Sequence, residues 1–149
     1  MKAADPSYHS KVRESFNQQK LMSLFNATLT DIEPGICEIR MPFSPHLTQQ
    51  NGYLHAGAIA SIADSAAGYA ALSLAPIGAS VLTTEYKINL LSPAIGETFR
   101  AAARVLKAGR TLNVVICDVF GIDGSDEKHC AFLVATIMTL QAKSIDTDG

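Results

Sequence analysis

The run from His55 to Ala75, HAGAIASIADSAAGYAALSLA, consists mostly of Ala, Ile, Leu and other small residues, and Asp64 is its one formally charged side chain. Alanine and leucine are strong helix formers, and a helix with no solvated face must be wrapped by other elements. This chain therefore needs a sheet broad enough to curl around one buried helix.

The rest of the sequence supplies such a sheet. Ala27–Glu33 and Ile36–Met41 alternate in the manner of strands, with Cys37, Ile39 and Met41 on one face and Pro34-Gly35 as the turn between them. After the helix, strand patterns return at about Val81–Leu91, Thr98–Leu106, Thr111–Phe120 and His129–Leu140. Short turn signals separate these blocks: Ser92-Pro93 with Gly96, Ala108-Gly109, and Gly121–Gly124. They suit an antiparallel meander of the four strands and not crossover helices. Val12, Phe16, Leu21 and Phe25 add one or two short helices at the start, and the Pro-, Ser-, Gln- and Asn-rich stretch Pro42–Gly52 reads as a loop. The expected fold is α+β, a long central helix wrapped by a curved antiparallel sheet of about six strands. All 149 residues form one domain in this reading, with flexible tails at about 1–10 and 144–149.

Charged residues make up 17% of the chain, against roughly 25% in an ordinary soluble domain, so part of the surface is expected to lie against a second copy. A formal charge of −2 and no Lys/Arg cluster interleaved with aromatics argue against nucleic acid. No signal-peptide core and no membrane-length apolar span is visible, which predicts a cytoplasmic protein without a membrane partner. Cys37, Cys117 and Cys130 have no C-x-x-C spacing and read as reduced core residues. The histidines His9, His46, His55 and His129 are scattered, so no metal site is expected. There is no G-x-S-x-G nucleophile elbow.

Two features of the central helix point to chemistry. An ionised Asp64 in the middle of a buried rod costs several kcal/mol unless it is paired or partly hydrated. Its helical neighbours Ala60, Ser61, Ala67 and Gly68 are small, which leaves room for an approaching molecule. At the start of the helix, Gly52, His55 and Gly57 mark a place where backbone N–H groups lack internal partners and carry the positive end of the dipole. Such donors can polarise a thioester carbonyl and hold the oxyanion formed on attack. Plainer readings stand beside these: Asp64 as a hydrogen-bonded residue at a helix contact, and His55 as a cap. The nine positions between His55 and Asp64 correspond to roughly 180° of rotation and about 13 Å of rise, so one chain cannot bring the two together. A site using both must be shared across a two-fold interface.

These residues resemble the PaaI-like hotdog thioesterases, whose pattern is an Asn, a Gly, then His-Gly-Gly at a helix start and an acidic residue nine positions after the His. The matching letters are Gly52, His55-Ala56-Gly57 and Asp64. The similarity continues through Thr83-Thr84-Glu85, Asn89–Ala94, Gly96-Glu97 and Lys107–Thr111, covering about Val12 to Leu140. It implies a hotdog fold and hydrolysis of acyl-coenzyme A (acyl-CoA) thioesters. Asp64 would be nucleophile or general base, the N–H groups of Ala56 and Gly57 at the helix start by His55 would form the oxyanion hole, and Thr83 would orient the attacking water. Two letters depart from the pattern. Gln49 stands where the family has Asn, with Asn51 close by as a second amide, and Ala56 replaces the middle glycine. Coenzyme A carries phosphates, so its groove calls for cations or exposed backbone donors, for which Gly109 and Arg110, near Lys107 and Arg104, are candidates. No cofactor is expected beyond the coenzyme A of the substrate. The expected assembly is a homodimer or a homotetramer made of two such dimers.

The competing functions share the fold. A hotdog hydratase or dehydratase needs an Asp and His on a D-x-N-P-x-H type segment, which this sequence lacks. A non-catalytic acyl-CoA sensor or interaction module would use Asp64 only to position ligand. Leu54, Ile59, Tyr69 and Tyr86 are open to either role, lining an acyl pocket or filling the core.

Overall fold

The structure is a computed structural model that describes residues 1–141. The tail expected at 144–149 lies outside the described residues. In chain order the elements are α1 (Tyr8–Gln18), α2 (Lys20–Leu24), β1 (Thr28–Glu33), β2 (Ile36–Pro42), α3 (Ala56–Leu72), β3 (Ser80–Leu90), β4 (Thr98–Ala108), β5 (Leu112–Asp123) and β6 (Asp126–Leu140). The strands form one six-stranded sheet in the order β1-β2-β4-β5-β6-β3, antiparallel throughout, so only β4-β5-β6 keep the expected meander: β3 follows α3 to the far edge beside β6, and the chain then crosses back to lay β4 against β2. Helix α3 packs along its inner face, giving the expected hotdog fold.

The alanines of α3 explain how the sheet can wrap it. Ala63, Ala66, Ala67 and Ala70 are fully buried, and small side chains let the helix axis come close to the strands. Phe99 from β4, Val115 and Cys117 from β5 and Leu133 and Ile137 from β6 fill the space beneath. All three cysteines are free and buried, and burial pushes their thiols up, so they sit in the core as protonated side chains.

Some boundaries move from their expected places. The helix begins at Ala56 and stops at Leu72, because Ser73–Ala75 turn towards Pro76. Strand β6 begins at Asp126, three residues before His129. Gly124, at φ +57°, makes a turn tight enough for Asp123 to pair with Asp126 across it.

Asp5 to Ser10 are tied down, in contrast to the flexible tail expected over about 1–10. The Asp5 side chain is 3% exposed and accepts from the Ser7 hydroxyl (2.6 Å) and backbone N–H (2.8 Å), and it pairs with Lys11 at 3.0 Å. Lys11 Nζ also donates to the carbonyls of Ala75 and Pro76 just past the end of α3, where the helix dipole favours a cation. The Ser7 hydroxyl and then Lys11 hold the Asp5 carboxyl down at about 2, below the ordinary 3.8. A lowered folded pKa contributes stability that is present above the unfolded value and is lost as pH falls through the folded one. Amide protection around α1, taken relative to the intrinsic exchange rate at each pH, is therefore expected to fall between pH 4 and pH 2. An Asp5→Asn protein should lose that dependence, whereas an unchanged acid profile in this variant would show that the clamp does not anchor α1.

Candidate active site

Asp64 is half-buried on α3, and its Oδ1 accepts a 2.7 Å hydrogen bond from the Thr83 hydroxyl of β3. Oδ2 has no protein partner among the described residues and is available to a ligand or water. The pair lies in an open cleft of about 440 Å³, floored by α3 and walled by Ala79, the start of β3 to Thr83, and α1. The family resemblance implied a Thr83 hydroxyl near the carboxylate to orient water; here the hydroxyl donates to the carboxylate itself. Mid-strand, β3 carries a register shift between Thr83 and Glu85. Bulges of this kind re-aim neighbouring side chains, here the hydroxyl at Asp64.

The start of α3 is built differently from expectation in one respect. His55 is the N-cap, at φ −65° and ψ 139°, and its Nδ1 accepts from Gly57 N–H at 2.8 Å. Gly57 N–H is thereby satisfied within the chain and is not a free oxyanion donor, and His55 serves the helix as its cap. Ala56, the first helical residue, has an N–H with no intrahelical partner, and no side chain among the described residues accepts from it.

Ala56 lies in a second cavity, also about 440 Å³, together with Gln49, Tyr53, Leu54, Ile59 and the segment Leu90–Ala94. The structure separates the two candidate amides. Gln49 faces this cavity, its Oε1 engaged by Asn51 N–H and its amide nitrogen free to donate. Asn51 lines a different surface hollow, with Phe43 and Ile95, because the turn at Gln49–Gly52, with Gly52 at φ +83°, faces it the other way. Gly109 and Arg110 are also displaced from the site. They border a hollow at the C-terminal end of α3 with Leu74 and Ala75, since the β4–β5 hairpin carries them to the opposite end of the helix from Ala56.

Thus Asp64 and Thr83 come together, as do Gln49 and Ala56, while the two pairs stay apart. Strand β3 connects the two cavities. Thr83 lies in one and Leu90 in the other, about 23 Å apart along the strand. The outer edge of β3 carries no strand partner among the described residues. Tyr86 and Leu90, whose cross-strand partners Ala135 and Ala131 are buried on the inner face, are 47% and 55% exposed. This strand edge and its apolar strip are uncovered in the single chain.

The sequence reading missed the α1 wall. Lys11, Ser15 and the C-cap Gln19 recur every four residues alongside the buried Val12 and Phe16, and all three line the Asp64 cleft. That i, i+4, i+8 polar stripe was the available signal.

Residues 51–128 match the family model of the thioesterase superfamily. The chain belongs to that superfamily. A crystal structure of a thioesterase family protein from Silicibacter pomeroyi is 44% identical, covers 89% of this chain and 98% of its own, and superposes with a TM-score of 0.88. A conserved protein of Pseudomonas aeruginosa is 30% identical over 82% of this chain and 94% of its own, with a TM-score of 0.74. The PaaI protein of the E. coli phenylacetic acid degradation operon shares the fold at 16% identity and a TM-score of 0.83, covering 94% of this chain and 98% of its own. In this member of the superfamily, no helix among the described residues is long and apolar enough to cross a membrane.

Proposed function

We propose that the protein hydrolyses acyl-CoA thioesters in a site assembled from two copies of the chain. The observation that carries this reading is the placement of two half-sites at opposite ends of an edge strand whose outer side has no strand partner among the described residues. Antiparallel pairing of β3 with the same strand of a second copy exchanges its ends. The Asp64–Thr83 pair of one copy then lies beside the Gln49–Ala56 cavity of the other, and the apolar strip at Tyr86 and Leu90 is covered.

In this arrangement the thioester carbonyl oxygen accepts from Ala56 N–H at the positive end of α3 and from the Gln49 amide. Thr83 holds Oδ1 of Asp64, leaving Oδ2 facing the carbonyl carbon. Acting as a base, Oδ2 takes a proton from water as the water oxygen attacks. Negative charge passes to the carbonyl oxygen, where the donors hold it. Collapse then breaks the carbon–sulfur bond, and the proton leaves with coenzyme A as the thiol. Acting as a nucleophile, Oδ2 forms a mixed anhydride with loss of the thiolate, and water then hydrolyses the anhydride. Both routes yield one free acid and one thiol per water consumed, and both require the same free Oδ2.

The test is thiol release from purified protein over a panel of acetyl-, butyryl-, octanoyl- and phenylacetyl-CoA, with sedimentation to read the assembly. The expected result is a dimer or larger with turnover of about 1 s⁻¹ or more on at least one substrate. A folded protein that releases no thiol from any of them is a binding module, and the proposal then fails.

A further inference from the structure

Gly68 has no structural reason to be glycine. It sits in the middle of α3 with an ordinary helical backbone, where glycine is unfavourable, and a Cβ built on it meets nothing within 4 Å. The free space belongs to the Asp64 cleft, one helical turn further along its floor. From Asp64 the cleft continues past Gly68 and Tyr69 to Leu72, about 12 Å along the helix, between the α1 stripe and Ala79–Thr83.

The two ends of this groove differ. At the near end are the free carboxylate oxygen and Gln19, whose Oε1 accepts from Ser65 at 3.1 Å. At the far end stands the Lys11 ammonium. Its three protons face Asp5 Oδ2 at 3.0 Å and the carbonyls of Ala75 and Pro76 at 2.9 and 3.2 Å, so it has none left for a ligand. It acts as a fixed wall, and a carboxylate at the tip of an acyl group would find no donor there. Tyr69, Leu72, Ala79 and Val81 make the stretch in between largely apolar.

We infer that the acyl group of the substrate lies in this groove over Gly68 and that the Lys11–Asp5 clamp ends it, making medium-chain acyl groups of up to roughly ten carbons the preferred substrates. The inference rests on the shared-site reading for the position of the thioester carbonyl. Gly68 is then a specificity-determining residue, since any side chain there occupies the path of the chain.

The experiment uses the full chain and two matched sets of ligands. Butyl-, octyl- and hexadecyl-CoA thioethers, which cannot be hydrolysed, report binding by calorimetry, and the corresponding thioesters report thiol release. The wild-type protein is expected to bind octyl-CoA at least about tenfold tighter than butyl-CoA and to gain nothing further with hexadecyl-CoA. In Gly68→Leu the preference for octyl over butyl should vanish, with no drop in melting temperature, since the helix gains a better former at an open position. Gly68→Ala, which adds one methyl to open space, should show a smaller loss of the same kind. Equal wild-type affinity for butyl and octyl, a further gain with hexadecyl, or an unchanged profile in folded Gly68 variants overturns the inference. Chain-length-dependent binding without thiol release supports the groove and sinks hydrolysis. Thiol release with flat chain-length dependence sinks the groove alone.

Discussion

An Asp64→Asn protein is expected to turn over octanoyl-CoA about a thousandfold more slowly than the wild type, while folding and assembling as before. The substitution preserves shape, and the new Oδ1 can still accept from Thr83, so the 2.7 Å bond that orients the side chain survives. What disappears is the free oxygen: an amide nitrogen takes its place, which neither accepts a proton from water nor attacks a carbonyl. Losing a positioned general base typically lowers rates by about 10²–10⁴-fold. The loss should fall on kcat, because Asp64 acts on the reacting atoms more than on the bound substrate. Steady-state kinetics and a melting curve on the same preparation read both parts, and turnover within tenfold of the wild type would remove Asp64 from the chemistry.

Ala56→Pro should lower kcat by about 10²–10³-fold, the usual cost of deleting one oxyanion donor. Proline suits this position: as the first residue of α3, Ala56 uses its N–H for no helical bond, and proline is well tolerated there. His55, at ψ 139°, already has the extended backbone favoured before proline, and its cap to Gly57 is untouched. The substitution therefore removes one proton donor and little else. It also makes the shared site testable, because Asp64→Ala and Ala56→Pro chains are each nearly inactive as homodimers. In a mixed dimer, one site receives an intact Asp64 from one copy and an intact Ala56 from the other. Random mixing makes half of the dimers mixed, each with half of its sites working, so about a quarter of wild-type activity should return. If mixed dimers form and no activity returns, each site is made by a single chain.

The sequence made some of these arrangements readable because they depend on local periodicity. The all-round apolar run from His55 to Ala75 requires a wrapping sheet, and the six strand patterns lie within a few residues of the observed strands. Asp64 is conspicuous for the same reason, as one charge on a rod with no solvated side. The position of Thr83 was implied by family resemblance, and its hydroxyl does meet the carboxylate.

Other features were set by which neighbour each group meets, and linear order does not encode that. His55 looked like a site residue, but its ring nitrogen reaches back two residues and takes up the Gly57 N–H, leaving Ala56 as the free donor. Gln49 and Asn51 are equivalent as letters, and only the turn at Gly52 turns one towards the helix start and the other away. Gly109 and Arg110 follow a strand long enough to carry them to the far end of α3.

By itself, the sequence determined the class of the fold, the buried helix and the one carboxylate that is costly to keep there. These follow from propensity, hydrophobic period and the penalty for burying charge, all of which act over a few neighbouring residues. Tertiary structure alone decided which backbone donor stays free, which amide faces it, that α1 forms one wall of the cleft, and that the Asp64–Thr83 pair and the Gln49–Ala56 cavity lie at opposite ends of β3. Each of those depends on contacts between residues far apart in the chain, and the direction of a side chain or N–H is settled only when the packed elements have closed around it.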